Sequence, residues 1–493
     1  MSCLRRCLRV CSALVLLGLL AGCMVGPKYQ KPPVPVTPAF KEPPPDSYKE
    51  SETDEWKRSH PNSEALRGNW WEIFGDPKLN ALEEQVTVSN QDLKIAEARF
   101  RQARTMVRYN RSAEFPTIGV APNIQSLRYS PNEPYFPSTV GTNARGLFTL
   151  PFDLSYEVDL WGRIRRTVTA AGEEAQASAA DLETAALSLH AELAVDYFEL
   201  CSADAQQRLL DATVEQYADN VKLTTALLDG GAAPVSDVIQ AKTQLDTTRV
   251  QDSDIGVMRA QYEHAIAILI GKPPAEFALA PSPLNLEPPV IPVGIPSQLL
   301  ERRPDIAASE RRVGEANEGI GIARAAYFPS LVLSAVGGLE GTAINNLFSW
   351  ASRFWAVGPT MAETIFDGGR RRATSEGAMA NYDATVANYR QTTLVAFQEV
   401  EDNLAALRIL EHEAGQQREA TAEALRGVEI FTNRYQGGVD PYLEVITADT
   451  IALANERNEI DILRRRMDAS VLLIKGLGGG WDVSKLPQVS SMR

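Results

Sequence analysis

The sequence predicts a mainly α-helical chain with a small β part, built as two tandem repeats in which a strand hairpin is inserted into long antiparallel helices. Three observations carry this. The stretch from Gly162 to Gly271 is written twice: a shift of 207 residues takes Gly162-Arg163 onto Gly369-Arg370, Gly230-Gly231 onto Gly437-Gly438, Pro234 onto Pro441, Val238-Ile239 onto Val445-Ile446 and Gly271 onto Gly478. Between the marker glycines neither copy contains proline, and both are rich in Ala, Leu, Glu, Gln and Arg with apolar residues at helical spacing, as at Leu189, Leu193, Tyr197 and Leu200. Ahead of each helical stretch lies a segment whose apolar and polar residues alternate with period two, most regularly from Phe148 to Leu160.

Residues 1–22 have the layout of a secretory signal: a basic region (Arg5, Arg6, Arg9), a short apolar run, then Leu20-Ala21-Gly22-Cys23. That tetrapeptide resembles a bacterial lipobox, which makes Cys23 the lipidated first residue of the mature chain. Met24, in place of Asp after the cysteine, matches an outer-membrane destination among bacterial lipoproteins. Of the five cysteines, Cys3, Cys7 and Cys11 fall in the signal, so only Cys23 and Cys201 remain and no disulfide framework is available. The formal net charge is −14, and the three signal arginines are unopposed by any acid, leaving −17 on the rest. Such a balance disfavours nucleic acid as a partner. Residues 23–60 form a tether; eight prolines between Pro27 and Pro45 predict an extended, polyproline-like segment with little that could pack.

The first repeat covers residues 61–272 and the second 297–478, joined by a proline-rich crossover at 273–296 and followed by a tail at 479–493. Within the first, the helical stretch Asn80 to Arg111 is stopped by Phe115-Pro116; its counterpart, Arg303 to Ala326, is stopped by Phe328-Pro329. Strands are expected at about 115–130 and 144–160, and again at about 328–341 and 353–367. Helical hairpins follow at 162–271 and 369–476. Each long arm would reach on the order of 100 Å, and its nearest lateral partner is the segment returning after the Gly-Gly turn. Gly230-Gly231 and Gly437-Gly438 suit a helix-ending turn that needs positive φ, and Pro234 and Pro441 suit the first turn of the returning helix.

No apolar run outside the signal approaches the ~20 residues of a membrane helix, so a bilayer crossing has to be made by strands. A spanning sheet has to be closed, and the smallest barrels have ~8 strands. Four strands per chain therefore imply a barrel shared between chains; three chains give twelve strands. The polar side of Phe148 to Leu160 presents Asp153, Glu157 and Asp159 to a water-filled lumen, and acidic linings favour cations. An enzyme reading finds no support: the histidines (His60, His190, His264, His412) are scattered as helix surface, no serine sits in a Gly-x-Ser-x-Gly elbow, and no metal or cofactor motif is present.

Several marks, in order and partly doubled, resemble the TolC/OprM-type outer-membrane efflux proteins, in their lipoprotein branch. They are the lipobox at Cys23, Trp70-Trp71 with Phe74 and Asp76-Pro77, Arg302-Arg303-Pro304-Asp305-Ile306 with Phe328-Pro329, Phe366-Asp367-Gly368-Gly369-Arg370, and Arg434-Tyr435 with Gly438 before Leu443-Glu444-Val445. The resemblance implies a homotrimer whose twelve-stranded outer-membrane β-barrel continues as an α-helical barrel through the periplasm. It further implies a passive duct fed by a periplasmic adaptor and an inner-membrane pump of the RND type. In that family the tip turns (here Gly230, Gly231, Pro234, Gly437, Gly438, Pro441) meet the adaptor, and the positions matching the constriction acids are Asp237 and Glu444. Tyr435 matches a gating tyrosine that bonds to a neighbouring helix. This chain departs from the pattern at Thr447, where the family has a second acid, at Asp440, where some members carry a basic gate residue, and at Leu227-Leu228, which replace the Arg-Tyr pair. The competing expectation is a non-conducting, coiled-coil outer-membrane lipoprotein, which explains the helices and Cys23 but not the alternating strands.

Overall fold

The computed structural model describes residues 24–50, 68–128, 130, 132 and 143–488. Cys23, the signal, residues 51–67 and most of the loop between the first two expected strands lie outside the described residues. After a short helical turn at Asp46–Glu50 and a 3-10 turn at Trp70–Phe74, helices α1 (Pro77–Ser89) and α2 (Gln91–Arg111) open the first repeat, followed by strands β1 (Thr117–Val120), β2 (Asn123–Leu127) and β3 (Arg145–Val158). Next come the long helix α3 (Arg163–Asp229), its return α4 (Val235–Leu269) and, past the crossover, α5 (Pro304–Ala325). The second repeat ends with β4 (Ser330–Gly341), β5 (Arg353–Ala362), α6 (Arg370–Gln436) and α7 (Tyr442–Gly476).

The duplication is exact in the backbone: α3 and α6 are each 67 residues and α4 and α7 each 35, with ends related by the same shift. The two long arms run about 100 Å. Each starts from a glycine in the left-handed region, Gly162 (φ 80°) and Gly369 (φ 91°). A basic first turn follows, which opposes the helix dipole; carboxylates offset it. Asp159 accepts from the amides of Ile164 (3.1 Å) and Arg165 (2.9 Å), and Asp367 from those of Gly369 and Arg371 (both 3.1 Å).

A return helix covers only half of its arm, so a second helix has to cover the rest. The amide side chain of Asn90, which also caps α2, donates to the Leu269 carbonyl at the end of α4 (2.8 Å). At the equivalent place, Arg303 donates to the Gly476 carbonyl of α7 (3.0 Å). The stacked ends touch at Gly271 (φ 72°) and Gly478 (φ 92°): a Cβ there would overlap the carbonyls of Ser89 and Arg302. At this waist sits the main apolar core, with Trp70, Trp71, Phe74, Tyr197, Phe198, Ile266, Val400, Leu404, Met467 and Ile474 among its buried members. The crossover adds Leu284 and Ile291 to it.

Two expectations are corrected here. The proline-rich segment is not a bare tether: from Val25, whose amide bonds to the Trp161 carbonyl (3.1 Å), it lies down along the helices. Tyr29 donates to Glu310; the amides of Lys41 and Glu42 bond to Glu401 (2.8 and 2.9 Å) and those of Asp46 and Ser47 to Glu411 (2.9 and 3.3 Å). An extended chain leaves its amides free, and carboxylates along α6 take them up. The C-terminal residues are likewise packed, with Trp481 buried against Ala180, Ala307 and Ala308.

The strands form one antiparallel sheet in the order β1-β3-β4-β5, with β2 also on β3. β1 and β2 are one stave interrupted at Ala121-Pro122, where proline has no amide to donate. Five strands thus make four staves, and the last ends at Ala362, short of the expected 367.

Gly478→Ala should destabilise the protein by about 2 kcal/mol or more, from left-handed backbone plus overlap, whereas Gly415→Ala, mid-helix with open space around it, should be neutral or stabilise by about 0.5–1 kcal/mol. Thermal melts of the two variants beside the parent check this.

Candidate functional site

Residues directly opposite in an antiparallel pair share a face, so the register sorts the sheet into two sides. One side carries Ile118, Val120 and Ile124, then Phe148, Leu150, Phe152, Leu154, Tyr156 and Val158, then Leu331, Leu333, Ala335 and Leu339, then Trp355, Val357, Pro359 and Met361. The other carries Thr117, Asn123, Thr149, Asp153, Ser155, Glu157, Ser334, Glu340, Gly358 and Thr360, with Val332, Val336 and Phe354 among them. On the apolar side none of the described residues covers the outer rows: Trp355 is 79% exposed and Val357 72%. Among the described residues, β1, β2 and β5 each have a partner on one side only. No helix among the described residues is long and apolar enough to cross a membrane.

Of the three acids expected on the polar side, Asp153 stands there exposed, opposite Val336. Glu157 shares that side and is gripped by Arg163 through two bonds (3.1 and 2.6 Å). Asp159 does not line the sheet: it lies one residue past β3 and is turned into the first turn of α3, where it also meets Arg165 (3.2 Å). Sequence reading missed Glu340, which stands on the polar side opposite Thr149; its place in the alternation of β4 was the available signal.

At the far end of the long arms both helix pairs turn through the same motif. The amide of Ala232 reaches back to the Leu227 carbonyl (2.8 Å) and that of Gly231 to Leu228 (2.9 Å); in the second copy Val439 reaches Arg434 and Gly438 reaches Tyr435 (both 2.9 Å). Gly231 (φ 73°) and Gly438 (φ 70°) supply the left-handed residue such turns require. Gly230 and Gly437 close the helices, and Pro234 and Pro441 stand extended at the heads of α4 and α7.

The four polar residues expected at a throat separate into three roles. Tyr435 donates its hydroxyl to Asp237 across the two helical hairpins (3.2 Å), and both are buried. Burial, then the charge and hydrogen bond of Asp237, push the phenol up to about 12, so it stays a donor at any physiological pH. Tyr442 packs on it at 5.1 Å. Asp440 is spent on a fork from Arg434 (2.5 and 2.8 Å), and that hydrogen bond holds its carboxyl below the usual range. Glu444, the duplicate of Asp237, is exposed, and among the described residues nothing bonds to its carboxylate.

Two further groups escaped the sequence reading. Asp449 is 3% exposed on α7; Gln216 donates to one of its oxygens (3.3 Å) while the other has no partner. Burial pushes its carboxyl up to about 7. Its signal was its place in the row Tyr442, Val445, Asp449, Ala452, where a coiled-coil seam expects an apolar residue. His190 is not helix surface: it is buried at the waist, bonded to Glu83 (2.6 Å) and stacked on Trp71 (4.4 Å). Burial raises the Glu83 carboxyl and lowers the His190 imidazole, so the pair is neutral.

The family description Outer membrane efflux protein matches residues 82–272 and 295–479, which takes in both repeats. The chain belongs to the outer-membrane efflux protein family. Among relatives of this efflux family, a probable efflux pump outer membrane protein, SepC of Pseudomonas putida, is 31% identical over 467 residues, spanning 94% of this chain and 95% of its own. The outer-membrane channel OprN superposes with a TM-score of 0.83 at 29% identity, covering 93% of this chain and all of that one. The Campylobacter jejuni CmeC outer membrane channel does so with a TM-score of 0.83 at 25% identity, covering 95% and 97%.

An acid whose folded pKa lies above its unfolded value, near 4, is held protonated by the fold. Stability is then full below pH 4, falls as pH rises from 4 toward 7, and stays reduced above that. Asp449→Asn should therefore raise stability at pH 8 by on the order of 1–4 kcal/mol and leave it unchanged at pH 4. Denaturation monitored at both pH values checks this.

Proposed function

We propose that this protein is the outer-membrane exit duct of an efflux pump: three copies close one twelve-stranded barrel, and their helices continue it as a tunnel across the periplasm. The observation that carries this reading is the sheet itself. Among the described residues it has an apolar side with nothing over it, a polar side with Asp153 and Glu340, and two edges that end in unpaired backbone. In hydrocarbon such edges are untenable, and four staves are half of what the smallest barrel needs. Joining β5 of one copy to β1 and β2 of the next removes every edge and puts the polar side around water. A spacer lipoprotein that conducts nothing would have no use for such a sheet.

Cargo passes through unchanged, handed over by a periplasmic adaptor and an inner-membrane pump of the RND type. The adaptor meets the duct at the two exposed turns, Gly230-Gly231-Pro234 and Gly437-Gly438-Pro441. Lipidation of Cys23 adds an anchor, and the strap from Val25 to Tyr48 keeps the chain that follows it flat against the helices. At the throat, Asp237 and Glu444 recur three times each about the axis. A narrow ring of carboxylates holds cations and repels anions. Tyr435, by bonding Asp237 across the two hairpins, holds the tip in its closed arrangement.

Glu444→Gln combined with Asp237→Asn should reduce the cation preference of the assembly in planar bilayers, read as a shift of reversal potential under a salt gradient. An unchanged reversal potential would remove both residues from the constriction. No insertion or conductance from the parent, with its tip opened by Tyr435→Phe, would favour the spacer.

A further inference from the structure

The apolar side of the sheet carries one charged residue within its strands: Arg353, the first residue of β5, opposite Leu339. Its guanidinium carbon lies 3.6 Å from the ring centroid of Trp350. Among the described residues no hydrogen bond or ion pair reaches it. Trp350 and Trp355, the next residue on the same side, are each 79% exposed, and Phe348 is 74% exposed. From Arg353 to Ala362 the ten residues of β5 rise about 30 Å, or roughly 23 Å of height at the ~40° tilt usual in such barrels. That is close to the ~25 Å of a barrel's apolar band, so Arg353 stands at the rim away from the helices. Just past the other end of β5 comes an acid, Glu363.

A cation on a lipid-facing surface is tolerated only at the headgroup level, where it meets a counter-charge. In this chain of net charge −14, no carboxylate among the described residues pairs with it. Stacking on Trp350 fixes the guanidinium plane and leaves its N–H fork free, the geometry that suits a phosphate. Tryptophans flanking a strand end mark the same level.

We propose that Arg353, with Trp350 and Trp355, binds a phosphate of the phosphorylated glycolipid in the outer leaflet, one site per copy. The inference rests on the barrel reading above. Glu363 follows β5 at the end nearer the helices, where Arg163, Arg165 and Arg371 are paired with Glu157, Asp159 and Asp367.

The test uses the purified full-length assembly in detergent with lipid A carrying two phosphates and with the same lipid after enzymatic dephosphorylation, counting bound lipid by native mass spectrometry. The parent should hold up to three phosphorylated lipids. Arg353→Gln should bind them about tenfold more weakly, Arg353→Lys should fall between, and the dephosphorylated lipid should bind parent and Arg353→Gln alike and weakly. Equal binding of phosphorylated lipid by parent and Arg353→Gln, or equal binding of both lipids by the parent, overturns the proposal. Arg353→Gln has to keep the parent's mass and conductance. A parent that neither assembles nor conducts overturns the barrel reading itself, which separates the two failures.

Discussion

Everything in this molecule follows from a backbone that, among the described residues, runs out of partners at both sides of a short sheet. A row of unpaired amides and carbonyls is harmless beside water and prohibitive beside hydrocarbon, since each unsatisfied group there costs several kcal/mol. The apolar side built by Ile118, Phe152, Leu333, Trp355 and Met361 selects hydrocarbon. On the proposed reading, identical neighbours close the sheet, and the helices below it take up the same rotational symmetry. The family's solved channels share this chain's fold over nearly its whole length.

The second constraint is arithmetic. An arm of 67 residues cannot be covered by a return helix of 35, so the wall is completed by stacking α2 on α4 and α5 on α7. Each junction brings two helix ends into contact, where carbonyls lose their intrahelical partners. Asn90 and Arg303 satisfy them from side chains, and Gly271 and Gly478 permit the approach. The waist is therefore where the wall is interrupted and also where the main core lies. The neutral Glu83–His190 pair inside it adds a polar contact without burying a net charge.

Much of this was legible in the residues. The 207-residue shift gave both hairpins with ends that agree in the two copies, because glycine and proline act through local backbone geometry that needs no knowledge of the rest. The period-two run from Phe148 to Leu160 marked the strand and its two sides for the same reason. What stayed hidden depends on contacts distant in the chain. Prolines announced an extended segment but not that Glu401 and Glu411 would receive its amides. Asp159 read as a pore acid because its alternation continued past Val158, where the backbone had already turned to cap a helix. Asp237 and Glu444 are duplicates in sequence, yet only Asp237 meets a tyrosine from the other hairpin, so the same position is buried in one copy and exposed in the other.

The most direct test of closure between copies is disulfide cross-linking of the two free edges. One cysteine goes at Thr117 on β1 and one at Thr360 on β5, both on the polar side, with Cys201 replaced by serine. Oxidised membranes should give covalent dimers and trimers on a denaturing gel with the paired variant, and monomers with either cysteine alone. A paired variant that cross-links only within its own chain, so that the band stays monomeric, would mean that one polypeptide closes its own sheet and would contradict the account.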